Sequence, residues 1–286
     1  RLSTNYTHVS ASYRADKYTG QDVVIGIAAA LDAENSGKLA SDSRGYTGGN
    51  VVDVRHGDTI SLTVEVPQTA LYRIGFDYLS YDSSILPIEF GFTVDGEYPF
   101  YEARSLDFET TWVSKEETEV DRYGNEIVSL PDKLIRWESK YLSDASYRYS
   151  DPLLVELEAG IHTFCIEVQE GSFLLGNITL SAPETIAAYT GSQKAEGSSL
   201  IAIEAEDFTY RSHSSIHAVG EYDNSLSPLS AKEKVLNIVD EDSFNTAGQR
   251  ITYSFEVEND GYYYIAMNYR QSEKNDFPVF VDFRID

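Results

Sequence analysis

The sequence predicts an all-β chain of two antiparallel sandwiches in tandem, the second one incomplete. Three observations carry this. Residues 61–95 and 252–286 align without a gap at an offset of 191, with eight of 35 positions identical. The identities are Glu65/Glu256, Val66/Val257, Tyr72/Tyr263, Ile74/Ile265, Tyr78/Tyr269, Pro87/Pro278, Phe92/Phe283 and Asp95/Asp286. Short apolar/polar alternations recur between turn signals. No long amphipathic helix separates them, which argues for antiparallel sheets.

Taken in order, residues 23–27 read as an early strand and residues 28–35 as one or two helical turns at most. Residues 61–66 alternate with period 2 and stop at Pro67. Residues 72–78 alternate again after a short turn, and residues 88–94 make a third run that ends on Asp95-Gly96. Residues 153–157, 163–168 and 173–180 complete the set, punctuated by Ala159-Gly160 and Glu170-Gly171. The first module therefore spans 1–180, with a charged, weakly periodic loop inserted near 112–150. An Ala/Ser/Gly/Thr-rich linker occupies 181–199. A second, homologous module fills 200–286 and is truncated after Asp286, whereas the first copy continues for 85 residues beyond Asp95. In a sandwich of this kind residues 23–27 and 173–180 are expected to lie together as first and last strands. The second module offers 200–204 but no closing strand, so its open edge is expected to be covered by something else.

The formal charge is −25, from 22 basic and 47 acidic residues. Such a surface repels nucleic acid and anionic lipid, and neutral partners suit it better. The single cysteine, Cys165, sits in an apolar run and reads as a core or sheet-face residue, leaving no internal disulfide and no thiolate metal site. No run of 18 apolar residues is present, so no direct membrane insertion is expected. The chain starts at Arg1 without a methionine, which reads as a processed or engineered start from which any signal peptide or lipid anchor has been removed. Its 21 tyrosines point to half-buried sheet positions or a binding surface.

Two sets of residues resemble known families. Ile201-Ala202-Ile203-Glu204-Ala205-Glu206-Asp207-Phe208, followed by a strand ending Glu256-Val257-Glu258-Asn259-Asp260-Gly261-Tyr262-Tyr263, resembles carbohydrate-binding module families 6 and 35. That resemblance implies a jelly-roll β-sandwich that binds sugars without catalysis. Val94-Asp95-Gly96, Pro99-Phe100-Tyr101-Glu102-Ala103, Gly124-Asn125-Glu126 with Trp137, and Asp151-Pro152-Leu153 form a wider pattern. Ala159-Gly160-Ile161-His162-Thr163, Leu236-Asn237 and Gly248-Gln249 extend it. Together these resemble the N-terminal region of large extracellular solute-binding lipoproteins of Gram-positive sugar ABC transporters. The resemblance implies a cell-surface, lipid-anchored protein whose absent remainder meets the importer's membrane subunits. The two-lobed solute-binding domain of that family is missing here. Arg250 also stands where a tryptophan is common.

Glu204 and Glu206 are two apart on an expected strand, so both carboxylates would share one face. The resemblance implies that such a pair helps hold a structural calcium, which takes hard oxygen ligands. The first module has Ala28-Ala29-Ala30 there and is expected to bind none. Trp112 and Trp137 are the only tryptophans, in or beside the insertion with Tyr141, Tyr147 and Tyr149. Flat aromatic faces stack on pyranose rings, and Asn125, Glu126 and Asp144 would read hydroxyls. The alternative is that the insertion folds back and its tryptophans plug the sandwich.

No catalytic arrangement stands out. Acid pairs occur everywhere in so acidic a chain, and His213 and His217 lie in a loop-like stretch where helical metal spacing does not apply. Asn5-Tyr6-Thr7 and Asn177-Ile178-Thr179 match the glycosylation sequon. The reading is a non-catalytic carbohydrate-binding or accessory region of a cell-surface solute-binding protein for ABC sugar import. It would capture neutral oligosaccharide or polysaccharide by stacking and hydroxyl hydrogen bonds. A structural spacer or protein-interaction module is the alternative, and an accessory module of a glycoside hydrolase is another.

Overall fold

The structure, a computed structural model, describes residues 4–32, 35–191, 200–271 and 278–285. It divides into two compact units, Arg1–Thr185 with Ala202–Ser254, and Ile186–Ile201 with Phe255–Asp286.

The first unit opens with a helical turn, α1 (Tyr6–Ser10), whose first backbone amides are met by the Asn5 side chain, which accepts from the His8 N–H at 3.1 Å. Then come β1 (Val23–Ile25), the short helix α2 (Ile27–Ala30), β2 (Lys38–Leu39), β3 (Val52–Arg55), β4 (Thr59–Val66), β5 (Ala70–Ser80) and β6 (Ile88–Val94). β7 (Leu106–Phe108), β8 (Thr111–Val113), β9 (Asp132–Leu134), β10 (Glu138–Tyr141), β11 (Val155–Leu157), β12 (Gly160–Glu170) and β13 (Ser172–Ser181) follow. The last are β14 (Tyr210–Arg211), β15 (Ala218–Val219), β16 (Ile238–Val239) and β17 (Ile251–Thr252).

Two sheets make the sandwich. One runs β10-β5-β13-β3-β2, with β1 also on β13 and β11 also on β5; the other runs β4-β12-β6-β7. β12 lies between β4 and β6 and pairs antiparallel with both, from Gly160↔Val66 to Glu167↔Thr59 on one side and from Phe164↔Val94 on the other. The alternation in β4 sets this arrangement: Ile60, Leu62, Val64 and Val66 are buried, while the residues between them are not. The aromatic core ties the sheets together. Phe76 of β5 meets Phe90 and Phe92 of β6 at 5.8 and 5.9 Å, and Phe108 of β7 meets Phe173 of β13 at 5.6 Å. Each fully buried phenylalanine contributes about 1.5–3 kcal/mol by leaving water. The expected closure is present, since β1 pairs with the end of β13, Val23↔Leu180 to Ile25↔Ile178.

The insertion at 112–150 is not a free loop. It supplies β8 and β9 to a third sheet, ordered β17-β14-β8-β9, and β10 to the edge of the first. Residues 202–254 join here, so the boundary between compact units does not coincide with the expected module boundary. The reason is local pairing: β14 docks on the open edge of β8 through Tyr210↔Val113 and Arg211↔Trp112. Around the 121–125 turn, Lys234 and Leu236 donate backbone N–H groups to the side chains of Asn125 (2.8 Å) and Glu126 (2.7 Å). Arg250 forms a bidentate ion pair with buried Glu109. Residues 200–204, expected as a strand, are not one; the Asp207 N–H donates to the Glu204 carbonyl at 3.1 Å in a turn.

Among the described residues of the second unit no strand forms, and Tyr262 is a single bridge residue. Tyr189 and Tyr262 meet edge to face at 5.3 Å. Among the described residues beyond Thr252, the alternating pattern of the second repeat is not realised as a sheet. Residues 192–199 of the expected linker, and residues 272–277 and Asp286 of the repeat, lie outside the described residues.

Candidate functional site

The candidate site lies on the outer face of the larger sheet, and a β-bulge builds it. β5 and β13 pair in register through Leu175↔Tyr78 and resume at Ile178↔Phe76, so Gly176 and Asn177 together oppose Asp77. A bulge of this kind re-aims side chains and leaves a backbone group unpaired. Here the freed Asn177 N–H donates to the Tyr46 hydroxyl at 2.8 Å, and that hydroxyl donates to the Asp77 carboxylate at 2.6 Å. Two glycines leave room for the phenol. A Cβ at Gly48 or Gly176 would sit 2.6 Å from the Tyr46 ring. Burial, with the Asp77 carboxylate as second cause, pushes the Tyr46 hydroxyl up to about 12, so it stays a neutral donor.

On the other side of Asp77, β10 pairs with β5 and places Ser139 directly opposite. The Ser139 hydroxyl donates to Asp77 at 2.5 Å. Two residues earlier the indole of Trp137 lies against the Tyr46 ring, centroids 4.2 Å apart and planes at 36°. The Trp137 N–H donates to the Ser43 carbonyl at 3.0 Å, which fixes the ring. Both aromatics pack on a small apolar patch of Val51, Leu79 and Leu174. The result is a shallow cleft of about 220 Å³ lined by Tyr46, Thr47, Asp77, Trp137, Glu138 and Ser139, with Gly45 at its edge. Aromatic faces beside hydroxyls and carboxylates suit a polyhydroxylated ligand.

The other residues singled out in the sequence fall elsewhere. Trp112 is 5% exposed, held in β8 with its N–H toward the Thr110 hydroxyl at 3.2 Å, and offers no face to a ligand. Asp144 is buried because it closes a turn, accepting from the Ser146 and Arg148 backbone N–H groups at 3.0 and 2.9 Å. Asn125 and Glu126 are occupied by the backbone of residues 234–236. Tyr141 is on the same face as Ser139, over Gly75, with Arg73 stacked 4.2 Å from its ring centre. Tyr147 turns inward at φ 54° and donates to Glu109. Of the expected ligand residues, only Trp137 lines the aromatic cleft.

Tyr147 and Glu109 instead line a second cleft of about 160 Å³ with Asp107 and His213. Burial alone would raise the Glu109 carboxyl, but Lys140 and Arg250 outweigh it and hold the group below its usual range. Lys140 bridges Asp107 at 2.9 Å and Glu109 at 3.5 Å. These charges satisfy one another and hold residues 202–254 to the sandwich. Cys165 is a sheet-face residue of β12, and burial raises its thiol. Asn177 is buried in β13, so its sequon is not presented for modification.

Glu204 and Glu206 are not side by side on a strand. Burial, then the neighbouring carboxylates Asp207, Glu204 and Glu126, raises Glu206 to about 7. Its Oε2 is buried without a hydrogen-bond partner. An orphaned carboxylate oxygen among acids fits the chemistry of a hard cation. Among the described residues, however, no group of three or more His, Cys, Asp or Glu side chains is placed to hold a metal.

Tyr46, Asp77 and Ser139 carried no signal of their own in the sequence. Tyr46 sits in a Gly-rich turn, Arg44-Gly45-Tyr46-Thr47-Gly48-Gly49, which is the one local hint.

No family model matches the chain, and no curated protein matches it in sequence. Solved structures are similar to part of it. A family 35 carbohydrate-binding module from Clostridium thermocellum is similar over 56% of this chain and 98% of its own, at 16% identity and a TM-score of 0.37. The C-terminal family 6 module of LamC from Zobellia galactanivorans covers 56% of this chain and 99% of its own, at 16% identity and a TM-score of 0.32. The Cry4Aa toxin of Bacillus thuringiensis covers 60% of this chain and 25% of its own, at 14% identity and a TM-score of 0.37. Likenesses of this size assign no function.

Proposed function

We propose that the chain is a non-catalytic carbohydrate-binding region that captures neutral oligosaccharide or polysaccharide on the Tyr46–Trp137 cleft. The observation that carries this is the pair of aromatic rings fixed beside Asp77 and Ser139 on an outer sheet face. One sugar ring lies against the exposed aromatic surface, and its hydroxyls meet the Ser139 and Thr47 hydroxyls and the Asp77 carboxylate. We further propose the cell-surface setting that the sequence resemblance implies, a solute-binding protein serving an ABC sugar importer. The same cleft would serve an accessory module of a glycoside hydrolase. Among the described residues no helix is long and apolar enough to cross a membrane. A structural calcium at Glu204 and Glu206 belongs to the same proposal, with Asp207 and Glu126 as the nearby acids.

Affinity-gel electrophoresis on neutral glycans tests the reading. Retardation is expected for the protein, and Trp137→Ala is expected to lose it, since a stacked aromatic contributes about 1–3 kcal/mol to such contacts. Repeating the gel and a melting curve with chelator tests the calcium, which predicts a lowered melting temperature. The burial of Trp112 and Asp144 favours the spacer reading. No retardation on any neutral glycan would overturn capture of neutral sugar by the cleft.

A further inference from the structure

Asp77 stands out among the acids of the cleft. It accepts from two neutral hydroxyls, Tyr46 at 2.6 Å and Ser139 at 2.5 Å, and among the described residues it is in no ion pair. Glu138, on the same rim, differs: Arg136 neutralises it at 3.3 Å and the Thr111 hydroxyl donates to it at 2.6 Å. This half-buried carboxylate is held in fixed geometry by hydroxyls, with no cation paired to it among the described residues, next to the Trp137 and Tyr46 rings. An ammonium gains from both at once, by an ion pair with the carboxylate and by attraction to the aromatic faces. A ligand carboxylate gains from neither, and the net charge of −25 adds to its repulsion.

We infer that the Asp77 pocket is a subsite for a protonated sugar amine, so that the cleft prefers amino sugars to their N-acetylated or neutral counterparts. This deepens the carbohydrate reading above and rests on it. The ammonium sits against Asp77 between Tyr46 and Ser139, while the ring it belongs to lies on the aromatic pair. The hydroxyl–carboxylate bonds already present orient Asp77 before the ligand arrives, which lowers the cost of binding.

The test is calorimetric titration of the 286-residue protein with a glucosamine oligomer, its N-acetylated form and a glucose oligomer of equal length. Titrations are run at mildly acidic pH and low salt. The glucosamine oligomer is expected to bind about tenfold tighter than the other two, a partly exposed ion pair and a cation–π contact acting together. Asp77→Asn keeps the shape, with the amide oxygen still accepting from Tyr46 and the amide nitrogen now donating to the Ser139 hydroxyl, and is expected to bring that ratio to about one. Should the amide disturb folding, judged by the melting curve, Asp77→Ser is read in the same way. Asp22→Asn removes one exposed negative charge elsewhere and is expected to leave the ratio intact, which separates a local pair from the general field. A ratio near one in the unaltered protein overturns the inference while leaving neutral-sugar binding standing. So does an undiminished ratio in Asp77→Asn. Failure of all three oligomers to bind overturns both readings.

Discussion

In the first copy of the repeat, Val64, Tyr72, Ile74, Phe76, Tyr78 and Phe92 face the space between two sheets and are buried. Their counterparts 191 positions later are Phe255, Tyr263, Ile265, Met267, Tyr269 and Phe283, every one apolar or aromatic and every one exposed. The alternation is the same and the outcome is opposite. What separates the copies is partners. β12 pairs with β4 and β6 together, and β13 pairs with β5, so three strands of the first copy find their partners in two consecutive strands, one in each sheet. Among the described residues nothing plays that part for the second copy. A period-2 pattern supplies a face for burial, and becomes a strand only when a neighbour takes up its backbone bonds.

The comparison can be broken most directly by hydrogen exchange. Amides of β5 are expected to exchange only through global unfolding, on the scale of about 5–15 kcal/mol, while those of 262–269 exchange near the intrinsic rate. Equal protection would show that the second copy is a folded sheet. Next in size is truncation of the core. Phe76→Ala is expected to cost about 3–5 kcal/mol in urea unfolding, whereas Met267→Ala, at a position 60% exposed, stays within about 0.5 kcal/mol. A smaller contrast lies in one hydroxyl. Tyr78 donates to the Glu109 carbonyl at 2.6 Å in the core, and Tyr269 is 76% exposed. Tyr78→Phe is expected to cost about 1 kcal/mol and Tyr269→Phe nothing measurable.

The smallest effect tests whether residues 202–254 belong with the first copy's unit. Glu206 titrates near 7 in the fold against 4.5 ordinarily, because burial and nearby carboxylates favour its neutral form. The folded state therefore holds more protons than the unfolded state between those values, and stability falls as pH rises from about 4.5 through about 7. Glu206→Gln is expected to flatten that slope in metal-free buffer. An unchanged slope would mean that Glu206 is solvated and its segment undocked.

Much of the sandwich was legible in the sequence because period 2 reports directly on a two-faced sheet. The runs at 61–66, 72–78, 88–94 and 173–180 lie within β4, β5, β6 and β13, and the pairing of first and last strands followed from the topology. The cleft was mostly illegible. Tyr46, Asp77 and Ser139 are far apart in sequence and meet only through the pairing of β10 with β5 and the bulge in β13. Trp137 was found because tryptophan is rare, and rarity equally pointed to Trp112, which the third sheet buries. The fate of residues 202–254 escaped for a related reason: β14 and β17 are two residues each, too short to show a period.

Those two short strands have a mechanical consequence. The chain leaves the first unit at Ser254, directly after β17, and β17 is joined to β14 by only two residue pairs, Tyr210↔Thr252 and Arg211↔Ile251. Tension applied from the side of residue 255 loads that pair first, then the Arg250–Glu109 contact behind it. β13, by contrast, is held by seven pairs to β5 and four to β3. A pull from that side is expected to peel residues 202–254 from the third sheet like a tear strip before the sandwich yields. Asp77, in β5, and Trp137, beside β10, lie outside that strip and are expected to stay in place through the first rupture.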